Sequence, residues 1–567
     1  MSPVNSNSGI DSPTHGQPQL EEASTVFSAG REVSVYMQNQ SPLLCLPYET
    51  KSMIIRYLGF REITRLARVC RHLYDLVEYD KALERAWFRR FPSQHRYQLM
   101  AMITRKDEQQ LRDWLAPFAD EDTVESLLKQ RESTYFPAQL LFTNSKLMSQ
   151  CKNFKLVEKA EIPHANFINT ANFSADSRRV VTASLDHKLK IYGQENDGTW
   201  EEKNTITHNG AVRSTSFSSD GRHVLAAGYD KTLTIFSQAD NGSWEAKATI
   251  PNVLNFRSAT FTADGRRLMT VAPDHTVKFF GQGDNGSWEL EDIIYHTSPV
   301  NSARFSVDES LLAIHDINAV VTIYGKGAGG SWVEKATLQG TQEAIKDISA
   351  DNCHLLTRTG VKINIFNLQA DGSWKKADTI PHDFIPTTAT FSADSYHVVT
   401  AASRDHKAKI YSRRADSSWQ ETACITHKDE LTSANFSADC LHVVTTSEDG
   451  TAKIIGLQAN GSWQEEANIS HKNSVYSATF SADGRLVVTA SADGTAKVFG
   501  LQTDGAWLEK ATIRHERGLM SVNFSPDDRH VMTTTDNYIA RITELWKDDD
   551  DQMSTIQHPP EADCLLF

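Results

Sequence analysis

The sequence predicts a multidomain α+β fold in which a small N-terminal helical module precedes a large all-β propeller. Apolar residues between positions 41 and 131 recur with helical spacing, as at Met53, Ile54, Tyr57 and Leu58. From about residue 151 one pattern recurs nine times at intervals of 43 to 45 residues. Within each copy, short runs alternate apolar and polar residues between turn signals, which is typical of strands.

Composition narrows the class of protein. The chain has 567 residues, 40% of them hydrophobic and 23% charged, so most of it should pack. A formal net charge of -14 argues against a nucleic-acid binder, because phosphate contacts need a basic face. Seven scattered cysteines without metal-ligand spacing indicate a reducing compartment, and we expect no metal and no cofactor. Since neither a long apolar run nor a signal peptide is found, we expect a cytoplasmic protein.

Five segments follow from shifts in composition. Residues 1–40 are rich in Ser, Asn, Gln, Pro and Gly, and we expect a disordered arm. Residues 41–91 and 92–150 carry helical patterns, and we expect the second of them to be a helical linker that spaces the two modules. Residues 151–547 hold the repeats, and residues 548–567 form an acidic flexible tail.

Each repeat starts with an anchor in a phrase such as FSADG and carries a Trp in a phrase such as DGSW. The anchors are Phe173, Phe217, Phe261, Phe305, Ile348 in a degraded copy, Phe391, Phe436, Phe480 and Phe524. In the eighth copy, turn residues separate four predicted strands, which are Val475–Ser481, Leu486–Ser491, Thr495–Gly500 and Trp507–Ile513. Four-stranded sheets cannot cover both of their own faces, and stacking them around an axis does so.

The two ends of the repeat array predict a closed ring. Phe154–Ile162 matches the last strand of a copy, while only three strands follow Phe524. The orphan first strand can therefore complete the last blade and remove a free sheet edge. Nine blades follow if every copy folds, and eight is the fallback if the copy around Ile348 does not.

The repeats resemble those of WD-repeat propellers in their period and in a recurring His and Asp. Seven histidines lie nine residues before an anchor: His164, His208, His296, His382, His427, His471 and His515. Their expected partners are Asp186, Asp230, Asp274, Asp405, Asp449 and Asp493, with hydroxyls at Ser184, Ser403, Ser447, Ser491 and Thr535. Because the set recurs from copy to copy, we interpret it as a structural network rather than as a catalytic site.

Residues that vary between copies are the better candidates for binding a target protein. Four positions before the anchors stand Asn169, Arg213, Arg257, Asn301, Ala344, Thr387, Thr432, Tyr476 and Met520. A second varied position precedes the turn aspartate. Since Arg and Tyr dominate binding hot spots, the predicted target-binding residues are Arg213, Tyr229, Arg257, Arg404 and Tyr476. Solvated charges and drift between copies are the alternative.

Residues 41–91 resemble an F-box, whose pattern runs from Leu-Pro-x-Glu to Val-Cys-Arg and a closing Trp. The matching residues include Leu46, Pro47, Glu49, Val69 and Cys70, and Leu73 stands where the family usually has Trp. The resemblance implies binding to the Skp-type adaptor of a cullin ligase through Leu46, Pro47, Glu49, Ile54, Leu58, Leu66, Val69, Cys70 and Leu73. An ordinary helical core is the alternative.

The chain ends in Cys564-Leu565-Leu566-Phe567, which fits a prenylation signal on Cys564. No basic segment precedes it, so an inert tail is equally open. An F-box, a repeat array and a prenylation box together also resemble effectors that intracellular bacteria deliver into host cytoplasm.

The functional hypothesis is a non-catalytic substrate-recognition adaptor of a cullin-RING (SCF-type) ubiquitin ligase. The F-box would bind the Skp-type adaptor, and the propeller would hold an unknown target protein. The alternative is a membrane-tethered propeller scaffold without a role in ubiquitin transfer. An enzyme has the least support, because no unique nucleophile, acid pair or metal cluster stands out.

Overall fold

The structure is a computed structural model that describes isolated residues before position 107 and most of 107–547. The isolated residues are 51, 55, 63, 73, 75–77, 81, 82 and 103. Gaps lie at 132, 134–135, 196, 240–241, 251–257, 263–264, 273–274, 284–285, 328–329, 339–343, 459 and 503. The chain divides into two compact units, one of residues 1–83 with 558–567 and one of residues 84–557.

In the first unit, the described apolar residues of the predicted F-box are helical and buried. Ile55, Ile63, Leu73 and Leu76 are each at most 2% exposed. Asp75 is exposed on a helix and Lys81 lies in a turn, so the described apolar residues fit the predicted helical pattern.

In the second unit, the structure describes three helices between residue 107 and the propeller: α1 (Glu108–Leu115), α2 (Glu121–Leu128) and α3 (Phe136–Gln150). Asp107 caps α1 in a reciprocal box, accepting from the Gln110 N–H at 2.8 Å while the Gln110 side chain accepts from the Asp107 N–H. Asp120 caps α2 by accepting from the Thr123 N–H at 2.8 Å. Leu111, Leu115 and Leu140 are fully buried.

The described strands form nine four-stranded antiparallel sheets, which we number as blades 1 to 9. Blade 1 contains β2 (Ile168–Phe173), β3 (Arg179–Ser184), β4 (Lys188–Gln194) and β5 (Trp200–Thr207). Blade 2 contains β6 (Val212–Phe217), β7 (His223–Gly228), β8 (Leu233–Gln238) and β9 (Trp244–Ile250). Blade 3 contains β10 (Ser258–Phe261), β11 (Arg267–Ala272), β12 (Thr276–Gln282) and β13 (Trp288–Tyr295).

The middle blades have the same plan. Blade 4 contains β14 (Val300–Phe305), β15 (Leu311–Asp316), β16 (Val321–Lys326) and β17 (Trp332–Leu338). Blade 5 contains β18 (Ile345–Ile348), β19 (His354–Thr359), β20 (Lys362–Leu368) and β21 (Trp374–Pro381). Blade 6 contains β22 (Thr388–Phe391), β23 (His397–Ala402), β24 (Lys407–Arg413) and β25 (Trp419–Thr426).

The last blades complete the ring. Blade 7 contains β26 (Leu431–Phe436), β27 (His442–Ser447), β28 (Thr451–Leu457) and β29 (Trp463–Ser470). Blade 8 contains β30 (Val475–Phe480), β31 (Leu486–Ser491), β32 (Thr495–Leu501) and β33 (Trp507–Arg514). Blade 9 contains β34 (Leu519–Phe524), β35 (His530–Thr535), β36 (Ile539–Lys547) and, from the other end of the array, β1 (Phe154–Pro163).

Nine blades are thus confirmed. The degraded copy folds as blade 5, so the eight-blade fallback does not apply. The ring closes as predicted, because β1 pairs with β36 in antiparallel register, Phe154 opposite Lys547 and Ile162 opposite Ala540.

Turn chemistry fixes the strand ends, as blade 8 illustrates. Ser481 accepts from the Leu486 N–H at 2.9 Å and donates to Asp483 at 2.5 Å, which closes the turn between β30 and β31. Gly484 follows at φ +75°, a backbone conformation in which glycine avoids a steric penalty.

The hydrophobic core lies between blades. One cluster joins blades 7 and 8 through Val444, Ile454, Val487 and Trp507. Another joins blades 9 and 1 through Ile162, Val180, Trp200, Ile542 and neighbouring residues. The first strands of adjacent blades also contact each other, which places them around the central channel.

The helices before the propeller pack against blades 8 and 9. Phe118, Met148 and Cys151 share a buried cluster with Leu486 and Val531. Leu486 stands where five other blades have a histidine at the start of the second strand. The segment 92–150, which we expected to be a spacer, therefore packs against the propeller through its described residues.

Candidate protein-interaction surfaces

The upper face of the propeller is the end that carries the loops from the fourth strand of one blade to the first strand of the next. The turns between second and third strands lie at the same end. In six blades the first strand begins with a register shift that leaves one residue without a cross-strand partner. Such a bulge re-aims a side chain. The re-aimed residues are Asn169, Arg213, Asn301, Thr432, Tyr476 and Met520.

These six are the varied residues that the sequence singled out in those blades. Blade 5 differs, because its shift lies between Ile345 and Asp347. The re-aimed residue there is Lys346, two positions before the anchor Ile348, whereas Ala344 precedes the strand and is not the residue at the bulge.

Two of the re-aimed side chains stabilise the ring. Asn169 donates to the carbonyl of Val212 at 2.7 Å. Thr432 donates to the carbonyl of Val475 at 2.6 Å. Each bond joins one blade to the next, so a short polar residue at the bulge has a structural role.

The larger residues at the upper face are exposed. Tyr229 is 58% exposed and Tyr476 is 39% exposed, while Arg213 is also exposed. The Arg404 side chain is 74% exposed, with its Nε 3.8 Å from Oε1 of Glu430. Arg257 lies outside the described residues. Arg213 and Tyr229 share blade 2, whereas Arg404 is on blade 6 and Tyr476 on blade 8, so the predicted set is spread around the ring.

Sequence reasoning missed several exposed apolar residues of the upper face. Phe167, Ile317, Phe384 and Ile385 are between 46% and 59% exposed. Phe167 packs edge-on against Tyr538, with ring centroids 4.8 Å apart. The available signal for Ile317 was the varied position before the turn aspartate, which this residue occupies in blade 4. Clustered exposed apolar residues are typical of protein-binding surfaces.

The predicted pairing of histidine and aspartate is confirmed in five blades. His164 Nδ1 lies 3.0 Å from Asp186 Oδ2, and its Nε2 lies 2.8 Å from the hydroxyl of Thr182. The other pairs with predicted aspartates are His208–Asp230, His382–Asp405, His427–Asp449 and His471–Asp493, at 2.8 to 3.5 Å. In blade 4, Asp316, which the sequence analysis did not name, lies 3.7 Å from His296. Asp274 lies outside the described residues.

The hydroxyl partners are not the predicted ones. The histidines contact threonines of the second strand in five blades: Thr182, Thr400, Thr445, Thr489 and Thr533. Ser184, predicted for this role, donates to the Asn166 carbonyl at 2.9 Å and accepts from the Asp186 N–H. Ser184, Ser447, Ser491 and Thr535 lie two residues further along the strand, on the same face, where they shape the turn. Ser403 lies three residues beyond Thr400 and outside the strand.

Burial favours the neutral form of five of these imidazoles. It lowers the pKa of His164, His382, His427 and His471, although the nearby aspartates act in the opposite direction. Burial, together with Arg541, lowers the pKa of His515 to about 4. The recurrence of these histidines from blade to blade and their neutral imidazoles fit a structural role, in which they link strands by hydrogen bonds.

Of the predicted adaptor-binding residues, only Leu73 belongs to the described part of the chain. It is helical and 2% exposed, as the helical-core alternative would have it. Leu46, Pro47, Glu49, Ile54, Leu58, Leu66, Val69, Cys70 and the prenylation candidate Cys564 lie outside that part, and their roles stay predictions.

Two family models match the chain. The F-box-like model matches residues 43–90. The model described as WD domain, G-beta repeat matches residues 158–193, 200–237, 419–455 and 464–500. The chain combines an F-box-like domain with WD repeats. The WD matches fall on blades 1, 2, 7, 8 and neighbouring strands, and the remaining blades follow the same plan in the structure.

Comparison with solved structures finds other propellers. Sqt1 from Saccharomyces cerevisiae is 13% identical with a TM-score of 0.44, covering 69% of this chain and 98% of its own. The C-terminal WD40 domain of Sif2 is 12% identical with a TM-score of 0.45, covering 70% and 99%. Sqt1 from Chaetomium thermophilum is 14% identical with a TM-score of 0.46, covering 70% and 100%. Similarity at this level carries no information on function, and no curated protein matches the chain.

Two further searches covered the described residues. They contain no group of three or more His, Cys, Asp or Glu side chains able to hold a metal ion. None of the helices among them has both the length and the apolar character of a membrane span.

Proposed function

We propose that this F-box and WD-repeat protein is a cytoplasmic substrate receptor of a cullin-RING (SCF-type) ubiquitin ligase. Its F-box-like domain binds a Skp-type adaptor, and its propeller binds the target. The observation that carries the proposal is the pairing of an F-box-like match at 43–90 with a closed propeller that exposes varied residues at one face.

In this role the chain contributes proximity and orientation. Holding a target near a transferring enzyme turns a bimolecular encounter into a nearly unimolecular one. A rigid ring suits the task, because bulges on a repeated scaffold present different side chains without changing the fold.

We propose the upper face as the target-binding surface. Arg213, Tyr229 and Tyr476 are exposed there, and arginine and tyrosine are residue types that often dominate binding energy. Ile317 and Phe384 add exposed apolar area to this face. The small bulge residues Asn169 and Thr432 are excluded from this set, because their side chains are used between blades.

Co-purification with a eukaryotic Skp-type adaptor tests the adaptor-binding half. The full chain should retain the adaptor, and Leu46→Ala with Pro47→Ala should lose it. Arg213→Ala with Tyr476→Ala is the matched control and should retain it. Adaptor binding that survives the Leu46 and Pro47 changes contradicts the proposal.

The membrane-tethered scaffold remains the alternative, and it depends on lipidation of Cys564. An unchanged membrane fraction of a Cys564→Ser variant would count against it.

A further inference from the structure

A cavity of about 290 Å³ lies at the seam where the ring closes. Helix α1, blade 9 and blade 1 surround it. Trp114 of α1 and Trp546 of β36 supply aromatic walls, and His530 at the start of β35 also lines it. Neither the histidine network nor the upper face includes these residues.

His530 belongs to a second series of histidines, each of which begins the second strand of a blade. The members are His223, His354, His397, His442 and His530. Each packs against the Trp of the next blade, with ring centroids 5.2 to 5.5 Å apart. The series therefore has a common packing role between blades.

Three of these histidines bond to the residue directly opposite on the third strand. His223 Nδ1 lies 2.7 Å from Ser237 Oγ, His397 Nδ1 lies 2.7 Å from Ser412 Oγ, and His354 Nδ1 lies 2.8 Å from Asn367 Oδ1. In blade 7 the opposite residue is glycine, and Glu466 of the fourth strand lies 3.4 Å from His442 Nε2 instead.

In blade 9 the opposite residue is Glu544, whose carboxylate Oε2 lies 2.7 Å from Nζ of Lys159. His530 is 3% exposed, and neither of its ring nitrogens has a hydrogen-bond partner among the described residues. Its Nδ1 lies 3.9 Å from Asp527 Oδ1, which favours a proton on Nδ1. Nε2 then remains as an acceptor.

The lining of the cavity is acidic. Six carboxylates belong to it: Asp113, Asp176, Glu195, Asp197, Asp527 and Glu544. Against them stand Lys159, Arg178 and Arg529. Lys159 is already paired with Glu544, and Arg529 lies over the Trp114 ring at 4.5 Å and donates to Asn144. Of the carboxylates, Glu195 is paired with Lys203, and Asp176 lies 3.5 Å from Arg179. Asp113 and Asp197 form no ion pair among the described residues, and their charges favour a positive ligand.

We propose that this cavity binds a primary ammonium group on an alkyl chain, from a lysine side chain or a linear polyamine. An ammonium carries three donors and no acceptor, which suits one imidazole nitrogen and neighbouring carboxylates. Its alkyl chain can lie along the two tryptophan walls. The site is separate from the upper face and does not depend on the proposed role in ubiquitin transfer.

Calorimetric titration of the full chain tests the site with two probes, spermidine and acetyl-lysine methylamide with a free ε-ammonium. We expect saturable binding of at least one probe, and the probe that binds tighter identifies the source. His530→Phe keeps the ring packing, removes the acceptor, and should weaken binding at least tenfold. His397→Phe, the same change at a histidine outside the cavity lining, is the matched control and should leave binding unchanged.

Asp197→Asn gives a second readout that does not touch the core. Among the described residues its side chain bonds only to Thr199 in its own turn, so the fold should be kept while binding weakens several-fold. The proposal is overturned if neither probe binds saturably, as for a water-filled cavity. It is equally overturned if His530→Phe and His397→Phe weaken binding alike, or if a folded Asp197→Asn binds as the parent chain does.

Discussion

Arg529 is a charged side chain that is only 3% exposed. Its guanidinium lies 4.5 Å from the Trp114 ring and 5.2 Å from the Phe118 ring, and donates to Asn144 at 3.0 Å. Burial lowers the pKa of Arg529 to about 10, and Asp527 acts against that shift. The residue stays charged at neutral pH. A buried charge is tolerated only with its partners in place, so the contact between helices and propeller should be sensitive to small changes.

We expect Trp114→Ala to destabilise the second unit by about 3 to 5 kcal/mol, because it opens a cavity and uncovers Arg529. It also removes the bond from the indole N–H to Asp527 at 3.3 Å. The urea midpoint measured by circular dichroism checks this. The control is Leu508→Ala, at a side chain 53% exposed, which should change stability by no more than about 0.5 kcal/mol. Equal midpoints for the two variants would show that the helices do not stabilise the ring.

His442 should make stability depend on pH in the alkaline range. Burial alone would lower its pKa, but Asp439 and Glu466 outweigh burial and raise the pKa of His442 to about 9. The folded state therefore holds its proton more tightly than the unfolded state, whose pKa is about 6.5. The stabilisation is complete below pH 6.5 and is lost as the pH rises through 9.

Urea unfolding of the parent chain and of His442→Phe at pH 6.5 and pH 9.5 measures this effect. The difference between the two proteins should shrink at the higher pH, by at most about 3 kcal/mol. A difference that is constant with pH would mean that His442 is neutral in the fold.

At the scale of elements, the strands are where sequence reasoning did best. In blade 8 the second strand is as predicted, Leu486–Ser491, and the third and fourth strands extend one residue beyond the prediction. The turns explain this accuracy, since Asp-Gly pairs fix the strand ends locally. The hydroxyl partners of the histidines were misplaced by two residues in four blades, because residues such as Thr182 and Ser184 share a face of the strand and both can donate. The docking of α1 to α3 was beyond prediction, because Trp114 and Asp527 are far apart in the chain.

Closure of the ring by β1 yields a prediction at the same scale. Ile162 is fully buried in the cluster between blades 9 and 1, and Ile513 has the corresponding place in blade 8. We expect Ile162→Ala and Ile513→Ala to lower stability by similar amounts, about 2 to 5 kcal/mol each. Urea midpoints compare them. If Ile162→Ala were neutral while Ile513→Ala destabilised the chain, β1 would not close the ring in solution.

At the scale of the whole molecule, the account joins an F-box-like domain to a nine-bladed propeller with an exposed, varied upper face. The architecture could be predicted because the repeats are visible as a recurring pattern in the sequence and because the residues of the F-box pattern occur in the expected order along the chain. The target could not, since Arg213, Tyr229, Arg404 and Tyr476 lie on three separate blades, and their combined surface depends on the ring geometry. The cavity beside His530 could not be predicted either, because it depends on the ion pair that Glu544 forms with Lys159 instead of a bond to His530.

The central claim is that a protein held by the propeller is delivered to the ligase bound by the F-box-like domain. The most direct measurement compares captured proteins and their ubiquitination in eukaryotic cells expressing the parent chain or its Leu46→Ala, Pro47→Ala variant. We predict that both chains capture the same proteins and that only the parent chain increases their ubiquitination. Equal ubiquitination of the captured proteins with both chains would contradict the account.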